Sequence, residues 1–270
     1  MISSSSPDLH RLFHPQSVAV VGASTKRGVT WDSGNAYING CVRQSFRGRL
    51  YPVHPKAESI LGYQCYGSIL DIPEAVDLAI ICIRASAAKQ AIEDCAQKGV
   101  CFVHMLTAGF GETGETSGAD VEEEIMAIAR KAGMRIVGPN CMGLYSPEGG
   151  LAWNGELPDR PGSVGLFSQS GQLANMVVRT SAQEGIFFSD VVSFGNASDL
   201  QAHEFLDYLG NDTKTKVIVS YLEGLKRGRA IIEAAKKVTP DKPLVVWKGG
   251  QTQGGARATR SHTAALAGSY

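Results

Sequence analysis

The stretch Ser17-Val-Ala-Val-Val-Gly-Ala-Ser-Thr-Lys-Arg-Gly28 decides the fold. An apolar run stops at Gly22, and small and polar residues then carry the chain into a helical stretch over 32–44. Short runs of this kind read as buried strands, and a glycine-bearing turn between strand and helix opens a parallel α/β unit. The phrase recurs. Arg49-Leu-Tyr-Pro-Val53, Leu78-Ala-Ile-Ile-Cys-Ile83, Cys101-Phe-Val-His-Met-Leu106 and Arg135-Ile-Val137 have strand character, while 87–98 and 121–131 have helical spacing and close on Gly99 and Gly133. Leu78–Ile83 lacks a polar face, as a central strand covered on both sides requires. The alternation predicts an α/β fold with a doubly wound parallel sheet.

Between 146 and 162 the rhythm fails, because Pro147, Gly149, Gly150, Pro158, Pro161 and Gly162 favour an irregular connector. It restarts at Ser163-Val-Gly-Leu-Phe167, with further strands expected at 190–193, 216–221 and 244–247 and helices at 172–184, 201–209 and 228–237. The expected organisation is a tail over 1–14, a Rossmann-like domain over 15–145, a connector over 146–162 and a flavodoxin-like domain over 163–270.

Composition narrows the function. Lys and Arg number 26 against 26 Asp and Glu, so no net positive charge favours nucleic acid. No apolar run approaches the roughly 20 residues of a membrane helix. The segment MISSSSPDLH lacks the basic and apolar regions of a secretion signal, so the expected location is the cytoplasm. Six cysteines without a CxxC pair read as free thiols, and no metal site is expected.

In open parallel sheets ligands bind beyond the carboxyl ends of the strands. Gly22-Ala-Ser-Thr-Lys-Arg-Gly28 follows the first strand, and its small residues permit close backbone approach of a phosphate; a plain strand-to-helix turn reads equally well. The second strand ends Val53-His-Pro-Lys56. A NAD site places an acid there, whereas Lys56 suits a phosphorylated ribose, as in NADP or coenzyme A, or is simply a solvated loop lysine. Thr107-Ala-Gly-Phe-Gly111 and Gly138-Pro-Asn-Cys141 follow later strands, and Asn140 offers both a donor and an acceptor. Cys141 has no recognisable base and reads poorly as a nucleophile. Ser168-Gln-Ser-Gly171 precedes a helix, where hydroxyls and free N–H groups either cap the helix or hold an anion. Glu223 is a lone acid after a strand, in a position to orient an imidazole, and His262 sits in a glycine-bounded loop beside hydroxyls.

Taken together, Gly22-Ala-Ser24, Tyr51-Pro-Val-His-Pro-Lys56, Gly138-Pro-Asn-Cys141, Ser168-Gln-Ser-Gly171, Tyr221-Leu-Glu-Gly224 and Ser261-His-Thr-Ala-Ala-Leu-Ala-Gly268 resemble the NDP-forming acyl-CoA synthetase superfamily, in order along nearly the whole chain. Within it, the chain is most similar to the alpha portion of ADP-forming acetyl-CoA synthetases, relatives of the succinyl-CoA synthetase alpha subunit. The resemblance implies a CoA-binding Rossmann-like domain and a flavodoxin-like ligase domain, which make acyl-CoA from a small carboxylic acid, CoA and ATP through an acyl phosphate and a phosphohistidine. It assigns the phosphohistidine to His262 and its supporting carboxylate to Glu223. Phosphate binding falls to Ser168, Gln169, Ser170 and Gly171. Coenzyme A falls to Gly22, Ser24, Thr25, Lys26, Arg27, Lys56, Leu106, Thr107 and Ala108, with Asn140 beside them.

Two departures accompany the resemblance. Ala264 stands where the family's SHTG has glycine. The sequence also ends eight residues after His262 without an ATP-grasp portion, so ATP and Mg2+ are expected to act through an ATP-grasp subunit or domain in an oligomer. Two other readings stand beside this one: a non-catalytic CoA-binding module and an NADP-linked Rossmann oxidoreductase.

Overall fold

Each apolar run becomes a strand in the computed structural model, which describes residues 8–26 and 33–250. The chain starts with a short helix α1 (Leu9–Phe13), then β1 (Ser17–Val21), α2 (Gly34–Arg43) and β2 (Arg49–Val53). A small hairpin follows, β3 (Ser59–Ile60) and β4 (Tyr63–Gln64). The first unit is completed by β5 (Leu78–Ile81), α3 (Ala85–Lys98), β6 (Phe102–Met105), α4 (Thr116–Ala132) and β7 (Arg135–Val137). Its sheet has the order β2-β1-β5-β6-β7 and is parallel throughout.

Helix α3 shows how the sequence builds this unit. Ala88, Ala91, Ile92 and Cys95 recur at helical spacing and are buried against the sheet. Gly99, at φ 77°, ends the helix, with its N–H on the Ala96 carbonyl and that of Val100 on the Cys95 carbonyl. Glycine adopts this left-handed cap without a Cβ penalty. Leu78, Ala79, Ile80 and Ile81 are all buried, as the missing polar face of that run requires.

The second unit contains β8 (Gly143–Tyr145), β9 (Val164–Ser168), α5 (Gly171–Gln183), β10 (Phe188–Ser193) and α6 (Ala202–Asn211), then β11 (Val217–Leu222), α7 (Gly228–Val238) and β12 (Leu244–Lys248). Its sheet order is β12-β11-β9-β10-β8, parallel except for β8. The chain therefore enters the second sheet at Gly143, ahead of the connector expected from 146.

That connector is irregular yet packed. Leu151, Ala152, Trp153 and Leu157 are buried, and a Cβ on Gly40 of α2 would stand 2.1 Å from the Ala152 carbonyl oxygen. The described part of the expected tail, from residue 8, is also structural. Within α1, Leu12 and Phe13 have no exposed surface, and Phe13 stacks on Tyr208 of α6 with ring centroids 4.6 Å apart. Arg11 pairs with Asp77 of the first unit. Helix α1 thus ties the two units together, and one apolar core runs continuously between them.

Candidate functional site

Parallel strands deliver their carboxyl ends to one edge, and strand order reverses between β1 and β5 in one sheet and between β9 and β11 in the other. Such switch points leave crevices. Here loops from both units border one cavity of about 1040 Å3. The loop after β1 supplies Gly22, Ser24 and Lys26; those after β6 and β7 supply Leu106, Thr107, Ala108 and Asn140; the turn after β9 supplies Gln169 and Gly171.

The first loop is shaped by Gly22 and held by Asn35. Gly22 has φ 99°, and a Cβ there would lie 2.3 Å from the Cys82 carbonyl oxygen. From the first turn of α2, buried Asn35 accepts from the Ser24 N–H (2.9 Å) and donates Nδ2–H to the Ser24 carbonyl (2.8 Å). The Thr107 hydroxyl donates to the Ile83 carbonyl at 2.8 Å, which fixes the end of β6 against β5. Asn140 follows a cis Gly138–Pro139 bond, has φ 57°, and donates its N–H to the Thr107 carbonyl at 2.9 Å.

Buried side chains brace that last loop from below. Tyr37 donates to the Met142 carbonyl, and His104 Nε2 lies 3.1 Å from the Cys141 carbonyl. Burial pushes the His104 imidazole down to about 4 and the Cys141 thiol well above its usual range. A neutral His104 therefore donates to that carbonyl, and Cys141 is an inert core thiol.

The cavity favours anions. Lys26 and Arg84 line it, and the amino ends of α3 and α5 open on it through Ala87, Gly171 and Gln172. Helix amino ends present unpaired N–H groups and partial positive charge. Sequence reasoning passed over Arg84, Met142 and Gln172, which line the cavity, and Asn35, which holds its wall. Arg84 directly follows the strand run Leu78–Ile83, so the strand-end rule applied there would have found it.

The turn after β9 is internally bonded. Ser168 is fully buried; its Oγ donates to the Ser170 carbonyl (2.7 Å) and accepts from the Ser170 N–H (3.2 Å). Ser170 caps α5, with its Oγ accepting from the Leu173 N–H. The Gln169 Oε1 accepts from the N–H groups of Glu223 (2.5 Å) and Gly224 (2.9 Å). Lys248 donates to the Glu223 carbonyl at 2.7 Å. Glu223 is 5% exposed, and burial, with Glu223 beside it, pushes the Tyr221 hydroxyl above its usual range.

The structure thus brings Gly22, Ser24, Lys26, Leu106, Thr107, Ala108, Asn140, Gln169 and Gly171 to one cavity. Glu223 is joined to it through Gln169. Thr25 and Lys56 are exposed and stand outside the cavity lining. Arg27 and His262 lie outside the described residues. Among the described residues no group of three or more His, Cys, Asp or Glu side chains is placed to hold a metal ion, and no helix is long and apolar enough to cross a membrane.

Family models match both units: a CoA binding domain over residues 16–147 and a succinyl-CoA ligase like flavodoxin domain over 161–270. Acetate–CoA ligase [ADP-forming] I of Archaeoglobus fulgidus is 42% identical over 97% of this chain, which covers 38% of that protein. Acetate–CoA ligase [ADP-forming] I subunit alpha of Pyrococcus furiosus is 41% identical over 97% of this chain, which covers 57% of it. Among solved structures, the dinucleotide forming acetyl-coenzyme A synthetase 1 of Ca. Korarchaeum cryptofilum, in complex with phosphate and ADP, superposes with a TM-score of 0.89. It is 37% identical, with 97% of this chain and 56% of that one covered. The chain spans between about two fifths and three fifths of the length of these relatives.

Proposed function

The chain belongs to the NDP-forming acyl-CoA synthetase superfamily, and from that premise we propose that it is the part of an acid–thiol ligase that binds coenzyme A and carries the phosphohistidine. The observation that carries the reading is one cavity between the switch point of the first sheet and the turn after β9, with Lys26, Arg84 and two helix amino ends around it. A long anionic thiol laid on the loops after β1, β5 and β6 has its reactive end within reach of the Gln169–Gly171 turn only because these loops share one cavity.

The proposed chemistry, in the direction of acid release, begins with phosphate. One of its oxygens attacks the thioester carbonyl, the C–S bond breaks, and CoA leaves as the thiol. The His262 imidazole then takes the phosphoryl group from the acyl phosphate, which releases the carboxylate. Nucleoside diphosphate finally accepts that group. The amino end of α5 stabilises the anion, and Glu223, held by Gln169, orients the imidazole. Ser168 serves this site by building the turn, since its hydroxyl is engaged within it. ATP and Mg2+ are assigned to an ATP-grasp partner, as a separate subunit or a fused portion. The setting is the cytoplasm, in keeping with six free cysteines.

Calorimetry with CoA and with NADPH tests the reading. Binding of CoA without NADPH is expected, and the reverse replaces it with an oxidoreductase. Incubation with acyl-CoA and labelled phosphate should then leave an acid-labile, alkali-stable label on the chain that His262→Asn abolishes. Label persisting in that variant moves the phosphoryl carrier elsewhere.

A further inference from the structure

Loops from the two units meet at the edge of the cavity, where Asn140 of the first unit lies against a segment of the second to which the sequence reading gave no role. The segment 194–200 after β10 runs along 136–140 after β7, with N–H groups of Asn196, Ser198 and Leu200 donating to the carbonyls of Pro139, Gly138 and Ile136, each at 3.1 Å. The approach is close enough that a Cβ on Gly195 would stand 2.2 Å from the Asn140 carbonyl oxygen.

One side chain lies at the centre. The Asn196 Nδ2 donates to two carboxylates of the first unit, Glu112 Oε2 at 2.6 Å and Glu122 Oε2 at 3.2 Å. Its Oδ1 accepts from Asn140 Nδ2 at 3.4 Å. The same two carboxylates hold the cavity loop. Glu112 Oε1 accepts from the N–H groups of Gly109 (2.5 Å) and Phe110 (3.2 Å), and Glu122 Oε2 accepts from that of Gly111 (3.0 Å). Glu122 also accepts from the Ser198 hydroxyl. An amide is the group this place requires, because it donates to two anions while accepting from a third partner.

We propose that Asn196 is a positioning residue for the CoA site: clamped by Glu112 and Glu122, it sets Asn140 and the Thr107–Gly111 backbone against the cavity and fixes the spacing of the two units there. Its predicted effect on CoA rests on the functional reading above; its effect on the loop does not. Asn196→Asp is nearly isosteric and directs a third carboxylate at two others. It should weaken CoA at least tenfold by calorimetry while the melting temperature of the whole chain moves little. The double variant Asn196→Asp/Glu112→Gln reverses the polarity of the closest pair: an amide NH2 in place of Glu112 Oε2 faces the new carboxylate while the remaining oxygen still accepts from Gly109 and Phe110, and part of that loss should be recovered. Coupling of this kind is what a double-mutant cycle isolates.

Hydrogen exchange provides the arm that needs no ligand. The amides of Gly109, Phe110 and Gly111 should exchange at least tenfold faster in Asn196→Asp, while those of β5 and β6 stay protected. If Asn196→Asp leaves these amides as slow as in the wild type, the positioning role is overturned whatever CoA does. If the amides speed up and the wild type binds no CoA, the functional reading fails and the clamp stands. A double variant no better than the single one in both measurements also overturns the pairing.

Discussion

The two sheets share the order of four parallel strands, β2-β1-β5-β6 and β10-β9-β11-β12, but use their switch points differently. Beyond β1 and β5, Gly22 packs on the Cys82 carbonyl, yet Gly22, Ser24, Lys26 and Arg84 still border open space. Between β9 and β11 the loops close on each other, because Gln169 spans them and both serine hydroxyls are engaged within the turn. The same strand order at the switch point therefore yields an open crevice in one unit and a rigid platform in the other. The difference lies in whether the residue after the strand is small and left-handed or long and able to accept two N–H groups. Fold alone does not decide function; side chains at the strand ends do.

The first crevice depends most on Gly22, and replacing it should have the largest effect. A valine there adopts φ 99° at a steric cost and drives its Cβ against the Cys82 carbonyl. Strain and overpacking together amount to about 3 kcal/mol or more. Gly22→Val is expected to lower CoA affinity more than a hundredfold in calorimetry. Unchanged affinity would show that this loop does not border the bound ligand.

Legibility of the sequence followed the same division. Apolar runs such as Leu78–Ile83 exposed both sheets, and glycines after strands exposed the loops of the first crevice. Helix α1, strand β8 and the role of Asn196 escaped for physical reasons. Helix α1 is too short to show amphipathic spacing, and what fixes it is a stack on Tyr208 and an ion pair with Asp77, both distant in sequence. Strand β8 is three residues long and pairs antiparallel with β10, so no crossover phrase announces it. Asn196 looked like a loop residue, since its partners Glu112 and Glu122 come from the other unit. Strand β12 shows the converse. Its Leu-Val-Val-Trp run was legible as a strand, yet its place at the edge of the sheet in the described residues, with Trp247 58% exposed, was not.

A second test sharpens the contrast by pH. Beneath the first crevice, His104 is neutral because burial depresses its imidazole to about 4, among the uncharged groups Tyr37 and Cys141. The unfolded chain, near 6.5, binds the proton more readily, so this contribution is complete above about pH 6.5 and is lost as pH falls towards 4. The shift corresponds to about 3 kcal/mol across that window. Urea unfolding at several pH values should show this slope in the wild type and a shallower one in His104→Gln. Equal slopes would mean that His104 is not the proton acceptor that acid unfolding recruits.

The smallest expected effect belongs to the second switch point. Gln169→Ala removes the acceptor for two N–H groups at once. That of Glu223, a buried residue, is left without its acceptor, whereas water reaches the half-buried Gly224. An unsatisfied buried donor costs about 1–3 kcal/mol, so a loss of about 2 kcal/mol in urea unfolding is expected. Gln169→Glu separates the two meanings of this side chain. A carboxylate still accepts from both N–H groups and fills the same volume, so it should retain most of the stability that alanine forfeits. If the glutamate variant loses as much as the alanine variant, the neutral amide itself is required beside Glu223, and the platform's rigidity comes from charge balance rather than from the two hydrogen bonds.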